Sequence, residues 1–432
     1  MAINSVPMRV ATFVTFVVAV VLVPLSPAVA ATPAQRVTQV AATSTSSSIT
    51  LSWRDPTAGT FTGVMVRRAT GAVAPSRVGG QLVARVGLSP SRVVDMSLSA
   101  SQTYSYSLFA FRGSHYARPA RISVNTSAAS VQVLSGSSFD LDGPIAMSAN
   151  DGEIWVANAF GNSVTEVDAT SGAVIRVLSD PSYAFDGPIA ISADGTDVWV
   201  ANFNGNSVTE LDQSTGALVQ VYSGGYAFNA PDAVTEDGPV LWVANADADS
   251  ILEMNEATGA VVQVLRAASY KFDDPVAAFS DGTNLWVANA NSSTVTEVNE
   301  ATGGLERVLA GTAYGFNEPG AFAASGDDLL VTNDVGNSVT EIDETTGDVV
   351  RIVAGASYGF DEPVDVATQG TNAWVVNLAG QSVSEFNVVT GAAVDRNVGP
   401  SYEFDYPFYV VIQANDAWVA NANGNSVTEF SL

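Results

Sequence analysis

From residue 131 to the end, short apolar runs alternate with polar turns on a fixed period. The run Trp155-Val156-Ala157-Asn158, followed by Gly161-Asn162-Ser163-Val164-Thr165-Glu166, returns at Trp199, Trp242, Trp286, Leu330, Trp374 and Trp418. The steps are 44, 43, 44, 44, 44 and 44 residues. Apolar runs of this length, bounded by Gly, Asn and Asp, predict strands. One copy yields Pro188–Ser192, Val198–Asn202, Ser207–Asp212 and Ala217–Tyr222, with turns at Asp194-Gly195, Asn204-Gly205-Asn206 and Thr215-Gly216. The central runs are apolar on both faces, as strands are when each sheet is sandwiched between neighbours.

Four antiparallel strands per repeat, copied seven times, read as a seven-bladed β-propeller over 131–432. The ends fit a closed ring. Val131–Leu134 is a fourth strand with no first three before it, and the last copy, Pro407–Phe430, has three strands and no fourth. Pairing the two ends removes the exposed edges of an open stack. A small residue early in the first strand of five copies (Ala146, Ala190, Ala233, Ala277 and Ala321) suits a crowded axis. The recurring Pro-x-x-Ala, Asp-Gly, Trp-Val-Ala-Asn, Asn-Ser-Val-Thr-Glu and Thr-Gly elements resemble the secreted YVTN-type repeats, related to NHL-type propellers. The resemblance covers about 300 residues and implies a surface or secreted protein that mediates interactions; some propellers of similar shape are enzymes.

The first 130 residues follow another pattern. Met1–Ala30 reads as a secretory signal peptide: Arg9, an apolar run over Val10–Val23, and Ala28-Val29-Ala30 before the expected cleavage site. The run is shorter than the roughly 20 residues of a spanning helix. No membrane attachment is expected after cleavage. Residues 33–125 alternate apolar and polar positions over Ser48–Trp53, Gly63–Arg68, Gln81–Val86, Tyr104–Phe111 and Arg121–Asn125. Short strands at this spacing predict an immunoglobulin-like sandwich. Ile49-Thr50-Leu51-Ser52-Trp53, with Pro56 after it, and Thr103–Ala110 resemble a fibronectin type III domain. That resemblance makes Trp53 and Tyr104 or Tyr106 structural. Val64-Met65 departs from the Tyr usual in its third strand. Residues 126–130 read as a linker.

Charge divides the chain the same way. Residues 1–130 hold eleven of the seventeen Lys+Arg and two acids, Asp55 and Asp95; the remainder holds six basic and 42 acidic groups. So acidic a surface repels nucleic acid and anionic lipid and favours cationic partners. There is no Cys and one His, His115, outside the repeats. This excludes disulfides, Cys-based metal sites and thiol nucleophiles.

The asparagines that end the second strand of each copy, Asn158 to Asn421, read as turn-capping architecture. The loop between copies carries a ring of Asp142, Asp186, Asn229, Asp273, Asn317, Asp361 and Asp405, preceded by aromatic pairs such as Tyr183 and Phe185. It is expected on the face of the turns that follow the asparagines, where carboxylates and aromatics suit a glycan or a peptide; the other reading is that the aromatics pack between blades and the Asp caps its loop. Asp365 and Tyr409 replace the axial Ala in two adjacent copies, with Glu403 and Tyr406 nearby, and make a candidate binding patch. Asn245-x-Asp247-x-Asp249 faintly resembles a calcium loop, but Ser250 stands where Gly is expected. No other cofactor is indicated and no catalytic residue is assigned. The leading reading is a secreted, monomeric, non-catalytic protein binding a protein or glycan at a cell surface or wall. The alternatives are a polysaccharide-acting hydrolase or lyase at the channel mouth, with Asp365 and Glu403 or Asp405 as its carboxylates, and a structural envelope component. A streptogramin-type lyase needs a propeller histidine, which His115 does not supply.

Overall fold

The computed structural model describes residues 36–44, 48–56, 61–89, 91–95, 98, 102–126 and 130–432. The signal-peptide reading and most of the 126–130 linker fall outside them. The chain divides into two compact units, one ending at Ala129 and one over Ser130–Ser431.

The first unit has two antiparallel sheets over one core. Thr38–Ser44, Ile49–Arg54 and Arg92–Asp95 form one; Gln81–Val86, Gly63–Thr70, Thr103–Arg112, His115–Tyr116 and Ala120–Asn125 form the other. Ile49, Leu51 and Trp53 meet Val64, Val66, Tyr106 and Leu108 between them. The Tyr106 hydroxyl donates to Asp95 Oδ2 at 2.7 Å, and Arg68 pairs with the same carboxylate at 2.9 Å. Besides the two-residue strand His115–Tyr116, two strands, Thr38–Ser44 and Arg92–Asp95, were not expected from the sequence. Their half-buried positions carry only Val and small or polar side chains, which give little apolar contrast.

The second unit is a propeller-like ring of seven four-stranded antiparallel sheets. Each innermost strand packs on the innermost strands of both neighbours, and Pro144–Asn150 of the first sheet packs against Pro407–Gln413 of the last. The last sheet takes its outer strand from the other end of the unit: Ser426–Ser431 pairs with Val131–Ser135, with Val427 opposite Leu134. Second and third strands are almost fully buried, whereas outer strands such as Ala260–Leu265 are largely exposed.

Polar contacts staple neighbouring sheets. Asn162 Oδ1 accepts from the Gly187 N–H at 2.8 Å, Asn206 Oδ1 from Ala230 at 2.7 Å and Asn337 Oδ1 from Glu362 at 2.7 Å. Asn425 Oδ1 closes the circle onto Gly143 at 2.9 Å. These acceptors sit at φ of 47–50°. Asn tolerates this left-handed conformation better than other side chains except Gly, which explains the repeated Gly-Asn turn. The strand-ending asparagines act one layer in. Asn333 Nδ2 donates to Ser338 Oγ and Thr340 Oγ1, and that threonine donates to the Tyr314 carbonyl of the preceding loop at 2.8 Å. The third sheet lacks this link because Leu252 occupies the threonine position.

A glutamate recurs opposite each Trp across the second and third strands, as Glu166 stands opposite Trp155. Arg176 pairs with Glu166 at 2.8 Å and Arg351 with Glu341 at 2.6 Å; Arg307 pairs with Glu297. Elsewhere the partner is neutral: the Tyr222 hydroxyl for Glu210 and the Asn372 amide for Glu385. Removing the cation strands a carboxylate that is only 2% exposed. Arg351→Met should therefore cost about 2 kcal/mol at pH 8 by denaturant unfolding and clearly less at pH 5, where Glu341 is protonated. An equal loss at both pH values would mean that Arg351 acts through its stem alone.

Candidate functional site

All seven innermost strands begin with Pro and are bulged near the second residue. Pairing shifts between Pro144 and Ala146, between Pro231 and Ala233, and at the equivalent place in four other sheets; in the fifth the shift extends from Pro319 to Phe322. A bulge leaves a residue unpaired and re-aims its side chain. The re-aimed residues line a central cavity of about 490 Å³. Ile145, Ile189, Val276, Val364 and Phe408 are apolar, Gly320 is bare, and Asp232 alone is charged. The sequence reading passed over Asp232 because it followed the Ala one residue later. The available signal was the only charged residue in that column of the repeat.

Asp365 and Tyr409, singled out in sequence, also line this cavity. Asp365 is 6% exposed, and its Oδ2 accepts from the Val410 N–H of the next innermost strand at 2.7 Å. Burial pushes its carboxyl up to about 7, and the N–H groups of Val410 and Val366 oppose that rise. Its carboxylate thus ties two sheets together. Tyr409 is half-buried and packs against the cores on either side; burial, then Asp365, raises its hydroxyl. Asp232 differs: among the described residues no group donates to its half-buried carboxylate. Burial, then the nearby Asp274 carboxylate, pushes it up to about 7. The cavity lining includes no Lys, Arg or His.

The inter-sheet loops and the turns between second and third strands share one face, as expected. Gly205 N–H donates to the Asp186 carbonyl at 3.1 Å, Gly380 to Asp361 at 3.2 Å and Gly424 to Asp405 at 3.2 Å. Asp186, Asp273, Asp361, Asp405 and Glu403 are all exposed there. The carbonyls of Asp186, Asp361 and Asp405 hold the turns, and the five side chains face solvent. The aromatic pairs beside them are structural. Tyr183 stacks on Phe185 at 5.3 Å, and its hydroxyl donates to the Gly216 carbonyl at 3.0 Å; Tyr314 and Phe316 repeat the arrangement. They fill the space between sheets and are not offered to a ligand.

The calcium-like stretch is also committed internally. Asp249 Oδ1 accepts from the Asp274 N–H at 3.0 Å, and Asn245 Oδ1 from the Asn229 N–H at 3.2 Å. Among the described residues no group of three or more His, Asp or Glu side chains is placed to hold a metal ion.

No protein-family model and no curated protein matches the chain. Solved structures do. A catalytically inactive histidine-to-alanine variant of virginiamycin B lyase from Staphylococcus aureus, with quinupristin, is similar at a TM-score of 0.60 and 15% identity, covering 70% of this chain and 99% of that one. A streptogramin B lyase structure follows at 0.59 and 15%, covering 70% and 98%. Kuenenia stuttgartiensis hydrazine synthase is similar at 0.57 and 17%, covering 68% and 96%. At these identities the likeness is one of fold, and the fold it supports for the repeat region is a β-propeller.

Proposed function

We propose that the protein is a secreted, non-catalytic binding protein that engages a protein or glycan through the loop face of a seven-bladed YVTN/NHL-type propeller. In this reading a leader over 1–30 is removed on export, and a fibronectin type III-like module precedes the ring. The observation that carries it is the loop face. Asp186, Asp273, Asp361 and Asp405 are exposed, with no side-chain partner among the described residues, and the backbone carbonyls of Asp186, Asp361 and Asp405 are fixed by the facing turns. Side chains free to bind on a rigid frame lose little entropy when a partner arrives. A lyase reading has less support: the inactive variant among the similar structures lacks a histidine, and the single His115 here lies in the other unit. A hydrolase built on Asp365 would need a carboxylate that already holds a neighbouring strand.

Co-sedimentation with cell-wall material and insoluble polysaccharides tests the reading, using the chain from Ala31 onward with and without a chelator. Retention is expected, and replacing Asp186, Asp273, Asp361 and Asp405 together by Asn should reduce it at least about tenfold. Retention unchanged in that variant would remove the loop face from the proposal. Self-assembly of the protein alone would favour an envelope component.

A further inference from the structure

The central cavity carries a feature that the loop-face reading does not use. Bulges at the start of the innermost strands turn one side chain per sheet into it, and six of the seven are apolar or glycine. Asp232 is the exception. It is half-buried, has no donor among the described residues, and faces a lining without a cationic side chain. Burying a carboxylate without a partner costs free energy. The six other sheets show that the position folds with Ile, Val, Phe or Gly. The fold therefore has no need of the charge.

We propose that this mouth of the cavity binds a primary ammonium group on a short apolar stem, with Asp232 as its counter-ion. The chemistry of the lining favours that class. An ammonium has three donors, and Asp232 takes one. Each innermost strand pairs on one edge only, so carbonyls on the other edge border the cavity and can take the rest. Ile189 and Val276, in the sheets on either side of Asp232, offer apolar surface to the stem, and Phe408 and Tyr409 stand across the ring. A volume of about 490 Å³ holds such a group but not a folded domain. Asp274 beside the mouth adds negative potential that draws cations in. Anions and neutral sugars gain nothing from this arrangement. The site opens at the loop-face end of the cavity but uses Asp232, not the exposed carboxylates Asp186, Asp273, Asp361 and Asp405, so either can fail alone.

The test is calorimetric titration of the full chain from Ala31 with n-hexylamine, 1-hexanol and capped lysine (N-acetyl-lysine-N-methylamide). Hexylamine should bind saturably and hexanol at least about tenfold more weakly. Asp232→Asn and Asp232→Val should each lose at least about tenfold in hexylamine affinity while melting no lower than the intact protein. Capped lysine binding as well as hexylamine would make a partner's lysine side chain the ligand; capped lysine at least about tenfold weaker would make it a free amine. The proposal is overturned if hexylamine and hexanol bind alike. It is also overturned if both Asp232 variants fold and retain full affinity, or if Asp274→Asn abolishes binding that Asp232→Asn leaves intact.

Discussion

Deleting Val131–Ser135 is expected to lower the melting temperature of the protein by roughly 10 °C and to make its unfolding depend on concentration. These five residues are the outer strand of the last sheet, although they lie at the opposite end of the unit from its other three strands. Leu134 is 3% exposed and packs with Val427, Trp418 and Ile154; Val131 and Val133 are half-buried. Losing their burial removes about 5 kcal/mol. The deletion also bares the edge of Ser426–Ser431, whose N–H and C=O groups can then template another chain. Leu134→Ala alone should cost about 3 kcal/mol. Val394→Ala, at a residue 41% exposed on the outer strand of the sixth sheet, should stay within about 0.5 kcal/mol. Thermal melts at two protein concentrations decide the matter. A deletion variant that melts with the intact protein would mean that the staple from Asn425 to Gly143 and the packing of innermost strands hold the ring without this pairing.

The ring was legible because the same unit recurs on one period, so seven weak strand patterns reinforce one another. The closing pair could be read from the orphan strand at one end and the three-stranded copy at the other. What the period hides is the use made of individual positions. In Pro231-Asp232-Ala233 the sequence looks like the start of a regular strand. Only the bulge shows that Asp232 and Ala233 do not alternate as strand neighbours do. Asp365 was visible as a departure, but its acceptor role depends on the free Val410 N–H of the next sheet, 45 residues away. The aromatic pairs, readable either as packing between sheets or as ligand contacts, are placed by partners just as remote. Tyr183 lies in a loop, where a ring suggests a ligand, yet its hydroxyl reaches a carbonyl 33 residues on and its face covers Phe185. For Asp365 and Tyr183 the partner lies about one repeat away, at a distance that strand patterns do not reveal.

The same buried carboxylates fix the expected response to pH. Burial pushes Glu166, Glu297, Glu341, Glu385 and Glu429 up to about 7 from an ordinary 4.5. On the face opposite the loops, burial and then Asp194 push Glu236 up to about 8, and burial with neighbouring acids brings Glu256 and Glu300 to about 7. Each of these groups binds more protons folded than unfolded between pH 4.5 and 7. Folded stability therefore falls as pH rises through that window and is greatest near its lower end. Asp168, Asp212 and Asp343 act in the opposite sense. Hydrogen bonds from their own turns lower them below 3.8, so the stability they give is present above that value and lost as pH falls through their folded values. The melting temperature should thus peak near pH 4.5–5 and decline steadily to pH 8. Relief of the net charge of −27 pushes the same way, but 1 M salt screens that contribution and leaves the cost of burial. At 1 M salt the decline should persist, and Glu429→Gln should flatten it by removing a titrating group with no cationic partner opposite, since Gln132 stands there. A melting temperature that rises from pH 5 to pH 8 at high salt would show that these glutamates are ionised in the folded ring at little cost, through water or counter-ions reaching the layer beside the tryptophans.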